Sequence, residues 1–470
     1  MKKLLILFVI CMSITTISAS ATSSILEVVD ETSEEVEGVV HKEIKGIIQK
    51  NGDDYTQVIN ILEADVKIGS NIELVSADSY GAYDFGLANI KELAKKYEED
   101  NPDKLVIGGI NGDFFNTKTG QPVELFVRDS EVVYTGANYK RDAIGVKGNG
   151  IVVMGKPVIG DVTIKVNDFD QLTEHVMSID KINALPLEGE ISVYFDSYKE
   201  VISDEGASKY IIDAIEMKTL NLSNPEIASV YGKGTISGDD LTTGTPLQER
   251  FVVVSKNLEF DEFMSKNNQI TVQRELTGQF KDIKYGLGAW GTLVNYGQIV
   301  DNIESAGTYS RHPRTAFGVK SDGTVLLVTV DGRQAAQGMF GVELPELASI
   351  MVELGAETAY NLDGGGSTTM ILRDGDSFET INSPSDGNLR DLSNALLLVT
   401  DRPEEPEEPV DPEPIDDSND ESIDQGDDDE QETQEPTSKK EKNNVPITII
   451  FGVLTTTVIA ILLYVYGKKR

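Results

Sequence analysis

Apolar and polar residues alternate along much of this chain with the period of two that half-buried strands show, and helical spacing is rare. "YTQVINILEADV" (55–66) alternates as a strand should. "LANIKELAKKYEED" (87–100) instead places Leu87, Ile90, Leu93, Ala94 and Tyr97 on one helical face, and Asn101-Pro102 ends it. "KLVIGGINGDFF" (104–115) reads as a short buried strand running into a polar glycine turn. "VELFVRDSEVVYTG" (123–136) and "AIGVKGNGIVVMG" (143–155) read as hairpins turning at Asp-Ser and Gly-Asn. Between 160 and 280 the pattern blurs: "YIIDAIEMKTL" has no clear period, and "NPEIASVYGKG" reads as a loop. Beyond it, "TVLLVTV", "TAYNL", "TTMILR" and "ALLLV" predict strands, and "ELPELASIMVELG" predicts an amphipathic helix stopped by glycine. Many strands, frequent hairpins and few helices predict an α+β fold with a mixed or mostly antiparallel β-sheet core. No internal repeat is visible.

The ends depart from this pattern. Residues 1–21 combine Lys2 and Lys3, an apolar run and Ala19-Ser20-Ala21, the parts of a secretory signal peptide. The single cysteine, Cys11, lies within it, so the mature chain has neither disulfides nor a thiol nucleophile. Residues 22–50 read as a polar lead-in to a domain at 51–400. Residues 401–445 hold 19 Asp and Glu against 4 Lys and Arg, which predicts an extended acidic stalk unable to bury a core. Residues 446–466 are uncharged and, as a helix, would span roughly 30 Å, a bilayer core. The basic tail 467–470 then suits the cytoplasmic side. The expectation is a single-pass protein of the cell membrane with its body outside.

Charge narrows the partners. The whole chain carries −38, and the part outside the stalk still carries −23. Nucleic acid is therefore not an expected partner, because phosphate-backbone affinity needs clustered Lys and Arg. An anionic substrate would be met by individual arginines.

Gly286-Leu287-Gly288-Ala289-Trp290-Gly291 matches a dinucleotide fingerprint in letters only, since a hairpin ("TLVNYGQIV") and not a helix follows it. With 3 histidines in all, a histidine zinc site or a Ser-His-Asp triad is not expected. No cofactor is called for, and the sequence leaves open whether a divalent cation is needed.

Chemistry-bearing residues collect at four strand ends: Asn111 and Asp113 in "INGDFFN", Arg311, His312 and Arg314 in "RHPRTAFGV", Asp331 and Arg333 in "VTVDGR", and Asn361, Asp363, Gly364, Gly365, Gly366 and Ser367 in "NLDGGGST". Each alone reads equally well as an ordinary turn. Together they suggest a site, because strand ends are rigid supports and glycine lets a ligand approach the backbone.

"INGDFFN", "RTAFGVKSDGTVLLVTVDGR", "ELPELASIMVELGAETAYNLDGGGSTTM" and "RDLSNALLLV" resemble the phosphodiester glycosidase family, over roughly residues 55–400. The resemblance implies hydrolysis of a sugar-1-phosphodiester, or of an envelope glycopolymer or exopolysaccharide with such a linkage, at the glycosidic bond. On that reading Asp363 is nucleophile or base and Asp113 its partner carboxylate. Arg314 and Arg333 hold the phosphate, Asn111, Asn361 and Asn394 bind sugar hydroxyls, and Asp331, Gly364–Gly366 and Ser367 complete the substrate site. Two other readings compete: a module that binds sugar-phosphate polymers without cleaving them, and a phosphodiesterase that breaks P–O.

Overall fold

The computed structural model describes residues 24–403 apart from 81–84, 137–140, 158–162, 169–172, 195–205, 220–229, 237–249, 268, 274–275, 277 and 306. They lie in the first of two units, Met1–Glu404. The expected signal peptide (1–21), the stalk beyond residue 403, the expected membrane span (446–466) and the basic tail (467–470) lie outside the described residues. Among the described residues no helix is long and apolar enough to cross a membrane.

The described strands form four sheets, and every pairing between named strands is antiparallel except Lys181–Ile182 with Ile191–Tyr194. An eight-stranded sheet runs in the order Leu26–Val36, Val39–Lys50, Asp53–Asp65, Thr324–Val330, Arg314–Lys320, Ala356–Asn361, Thr292–Asn295, Gln298–Ile299. A five-stranded sheet runs Ser377–Thr380, Met370–Asp374, Lys104–Asn111, Asn394–Asp401, Glu73–Asp78. Another five-stranded sheet centres on Ile283–Ala289, and a second eight-stranded sheet is built from strands between Thr163 and Gln273.

The run "TVLLVTV" is buried on both faces, which explains why it is continuously apolar. Val325 and Leu327 join the core shared with Ile110, Met370 and Leu396 of the neighbouring sheet, whereas Leu326, Val328 and Val330 join Leu347, Ile350 and Met351 of the helix Leu344–Glu353. That helix and Ile90–Asp100 sit where helical spacing predicted them. The second is closed by a capping box, with Asn89 accepting from the Glu92 amide and Glu92 from the Asn89 amide. The Asp129-Ser130 and Tyr296-Gly297 pairs all have positive φ, as tight hairpin turns demand.

Three stretches differ from expectation. Residues 24–50 are no lead-in: they form the hairpin Leu26–Val36 and Val39–Lys50 at the edge of the large sheet. The outer strand is polar because it is exposed along nearly its whole length, and its charges guard an open edge. Residues 210–219 of "YIIDAIEMKTL" lie in the strand Ser208–Thr219, whose register shifts between Ala214 and Glu216; that bulge erases the period. "VYGKG", expected within a loop, lies in the strand Val230–Ile236, which pairs with Ser208–Thr219 and Gln269–Gln273.

Candidate active site

Antiparallel pairing brings the four polar strand ends to one place. In the large sheet Arg314 pairs with Val330, just before Asp331, and Ala316 pairs with Asn361. In the neighbouring five-stranded sheet Asn111 pairs with Ala395, beside Asn394. The two sheet ends are stitched together: the Asp363 amide donates to the Gly112 carbonyl at 3.1 Å, and the Leu362 amide to the Thr315 carbonyl at 2.9 Å.

Asn111 is the central knot. Its Nδ2 donates to the Asp363 carbonyl at 2.6 Å, and its Oδ1 accepts from Thr315 Oγ1 at 2.7 Å and from the Thr369 amide at 3.1 Å. Asn394 Oδ1 accepts from the Asp113 amide at 2.9 Å. Asn361 Nδ2 donates to the Trp290 carbonyl at 3.0 Å, while its buried Oδ1 has no hydrogen-bond partner. All three asparagines are buried. The structure thus gives Asn111 and Asn394 framework bonds where sugar-hydroxyl contacts were expected.

Asp331 is also occupied. Its Oδ1 accepts from Asn382 Nδ2 at 3.1 Å and the Ser383 amide at 2.9 Å, fastening the following loop to the sheet. Burial lifts its pKa to about 6 against those two bonds.

Asp363 lies two residues beyond the end of the strand Ala356–Asn361. It is half-buried, and its Oδ1 accepts from the Gly364 amide at 2.9 Å. Burial raises its pKa to about 6, opposed by a hydrogen bond to Ser367, the Gly364 amide and the charge of Arg390. At neutral pH it is mainly ionised and only just so.

Around the glycine triplet lie cations. Gly365 has φ 65, and a Cβ there would lie 3.0 Å from both Arg333 Nη1 and Nη2. A Cβ on Gly366 would collide with Arg390 Nη2 and Asp386 Oδ2. The space left by the missing side chains of Gly365 and Gly366 is therefore filled by guanidinium groups. Arg390 Nη1 donates to Ser367 Oγ at 3.2 Å, and its Nη2 pairs with Asp386 Oδ2 at 2.6 Å. Arg333 Nε donates to His312 Nδ1 at 3.3 Å, which requires a neutral imidazole on that nitrogen. Burial, then Arg333 and Arg314, depress the His312 pKa. Arg314 lies underneath, buried, its guanidinium donating to the carbonyls of Val342, Gly307 and Ser310. Desolvation, then Arg333, lowers its pKa to about 10. Among the described residues no carboxylate pairs with Arg314 or Arg333. Arg311 turns away to Glu346 at 2.6 Å and stacks on Tyr55.

Asp113 is held by two backbone amides. Its Oδ1 accepts from the Phe114 amide at 2.7 Å and its Oδ2 from the Glu124 amide at 3.1 Å. Burial, and to a smaller extent the Glu124 carboxylate, push its pKa to about 8; burial lifts Glu124 to about 7 despite Arg141. Asp113 is thus coupled to Glu124, and the backbone of its neighbour Gly112 accepts from the Asp363 amide. Sequence reasoning passed over Glu124 and Arg390. A charge opening the strand Glu124–Arg128, just before its apolar run "LFV", was a signal for the first; Arg390 had only its place in "RDLSN". Among the described residues no group of three or more His, Asp, Glu or Cys side chains is disposed to hold a metal ion.

Residues 227–399 match the family model for phosphodiester glycosidase, so the resemblance carried by "NLDGGGST" and its neighbours stands. The family is, by name, one of glycosidases acting on phosphodiesters. In particular, the chain is 35% identical over 88 residues to the SPbeta prophage-derived protein YomE of Bacillus subtilis strain 168, a stretch that is 19% of this chain and 13% of that protein. A hypothetical protein from Synechocystis superposes with TM-score 0.57 at 17% identity, over 79% of this chain and 64% of that one, which shows a shared fold. The zebrafish N-acetylglucosamine-1-phosphodiester alpha-N-acetylglucosaminidase catalytic domain, auto-inhibited by its pro-peptide, gives 0.42 at 13% identity over 79% of this chain and 88% of that one, too loose to carry an argument.

Proposed function

We propose that this chain is a hydrolase that cleaves the glycosidic bond of a sugar-1-phosphodiester, held at the cell membrane with its body outside. One observation carries the reading: the ionisable carboxylate of Asp363 opens a glycine turn that packs against Arg333, Arg390 and the buried Arg314. Arg333 is exposed and keeps its fork of donors for a phosphate, which a planar guanidinium can hold through two bonds. Arg314 is tied up by carbonyls and contributes fixed positive charge rather than a direct grip.

In the reaction, water supplies an oxygen to the anomeric carbon, the bond from that carbon to the phosphate oxygen breaks, and the phosphate leaves as a monoester. Asp363 acts as nucleophile or as the base that takes the proton from water, beside a centre with oxocarbenium character. A phosphate monoester is a good leaving group, its second pKa being ~6. The arginines stabilise the charge that accumulates on it. The buried Asp113–Glu124 pair retains a proton near neutral pH and suits the donor role when protonation is needed.

The expected anchor, the stalk of 401–445 and the span of 446–466, supports a surface location and a substrate that is an envelope glycopolymer. Incubation with a panel of sugar-1-phosphodiesters tests the reading. Free reducing sugar plus a phosphomonoester supports it. A sugar phosphate would make the protein a phosphodiesterase, and binding without product a carrier of sugar-phosphate polymers.

A further inference from the structure

The carboxylate and the arginines leave half of a sugar-phosphate unaccounted for, namely the ring. Trp290, the chain's single tryptophan, is hydrogen-bonded to Asn361 at the strand end that leads into Asp363 and was not used by the mechanism. Its backbone is locked to Asn361 in both directions: the Trp290 amide donates to the Asn361 carbonyl at 3.0 Å, and Asn361 Nδ2 donates to the Trp290 carbonyl at 3.0 Å. Asn361 is two residues ahead of Asp363 on the same strand end. The indole itself is partly exposed. Arg141 lies over it, 3.8 Å from the ring centroid, and Phe114 meets it edge-on at 5.1 Å. Arg141 is in turn drawn to Glu124, with Nε 3.5 Å from Oε1.

Two buried polar atoms flank this tryptophan without partners: Arg141 Nη1, a donor, and Asn361 Oδ1, an acceptor. Such atoms are uncommon in folded proteins, because leaving them unpaired costs stability, and each asks for an explanation. A sugar hydroxyl both donates and accepts, so it answers to that pair. The pyranose C–H face is electropositive and suits the negative face of an indole, whose N–H adds a donor at the rim.

We propose that Trp290, Arg141 and Asn361 form the subsite that recognises a pyranose ring. This rests on the sugar-phosphodiester reading and assigns its two halves to different residues. It makes Trp290 and Arg141 specificity-determining, whereas Arg333 and Arg390 answer to the phosphate alone.

The single tryptophan makes the test direct. Emission of the intact protein is followed while methyl pyranosides of gluco, manno, galacto and N-acetylglucosamine type, and separately inorganic phosphate, are titrated in. The expected result is a saturable change with at least one pyranoside, and no comparable change with phosphate. Arg141→Gln should weaken that pyranoside at least ~10-fold, the scale of a lost hydrogen bond to a charged group. For any substrate the protein hydrolyses, the same variant should raise KM more than it lowers kcat. If no pyranoside moves the emission while a sugar-phosphodiester is still cleaved, the subsite is overturned and the enzymatic reading stands. Saturable sugar binding without cleavage of any phosphodiester overturns the enzymatic reading and leaves the subsite standing. Unchanged sugar affinity in a folded Arg141→Gln protein also overturns the subsite.

Discussion

Asp113 and Glu124 meet at the head of a buried strand, the Glu124 amide donating to Asp113 Oδ2 at 3.1 Å, and the Glu124 carboxylate raises the cost of ionising Asp113. Burial is the larger cause for both groups.

Stability should therefore fall as pH rises through the neutral range. Asp113 moves from 3.8 to about 8 and Glu124 from 4.5 to about 7, so between those limits the folded chain binds protons that the unfolded chain has released. Linkage then makes unfolding easier as pH increases, and the loss is complete above the folded values. Melting temperatures at pH 6 and pH 9 should differ by roughly 2 °C or more from this pair. Glu124→Gln removes one of the titrations and weakens the other, so its slope between those pH values should be flatter. Parallel slopes in the two proteins would show that the pair is not the source.

Arg333→Lys keeps the charge and loses the planar fork. Arg333 is exposed and makes one side-chain hydrogen bond, to His312, so melting should change little. On a phosphodiester substrate, kcat/KM should drop by ~10-fold or more. Steady-state kinetics of Arg333→Lys and Arg333→Ala check this, and unchanged constants in the alanine variant would move the phosphate grip elsewhere.

Asp386 competes for Arg390. In the structure both Nε, at 3.0 Å, and Nη2, at 2.6 Å, are committed to one Asp386 oxygen. A phosphate bound there must share or displace that carboxylate. Asp386→Asn should lower KM for an anionic substrate several-fold, by ~0.5–1 kcal/mol for a half-exposed pair. A higher KM would show instead that Asp386 aims the guanidinium.

How far the site was legible beforehand follows from what kind of signal each residue carried. Asn361, Asp363 and Arg314 end or begin apolar runs, and the period of two alone places them at strand ends; antiparallel pairing then does the rest. The partner of Asp113 was not legible, because Glu124 reaches it through a neighbouring strand and no spacing along the chain encodes that. The glycine triplet was legible as a place of close approach but not as to what approaches: Arg333 and Arg390 arrive from loops 32 and 24 residues away from Gly365 or Gly366 in the numbering, folded over by tertiary packing. The strand Ser208–Thr219 was lost to a bulge, and Leu26–Val36 to its exposure, since an edge strand with both faces in water has no hydrophobic period to read.

A chain ending after residue 403 should keep full activity and fold as well as the whole. The cut belongs there rather than at 400, because Lys104 pairs with Asp401 at 2.7 Å and Arg402 donates to the Pro102 carbonyl at 3.0 Å. Product release by the shortened protein, compared with the full chain in detergent, tests it. Loss of turnover with an unchanged melting temperature would mean that the acidic segment takes part in binding.

Asp363→Asn bears most directly on the mechanism. If the carboxylate merely shapes the turn, asparagine can still accept from the Gly364 amide, which Asp363 Oδ1 now does at 2.9 Å, and rates should stay near normal. If it is nucleophile or base, melting and substrate binding persist while turnover falls at least ~100-fold. The wild-type rate should also rise with pH through about 6, where Asp363 loses the proton that burial helps it keep. Stability runs the opposite way, since this raised pKa means the folded state loses ground to the unfolded one between 3.8 and about 6. A rate limb near 6 that rises while the melting temperature declines is therefore the combined signature. A folded Asp363→Asn protein that hydrolyses its substrate at a comparable rate would end the assignment of this carboxylate.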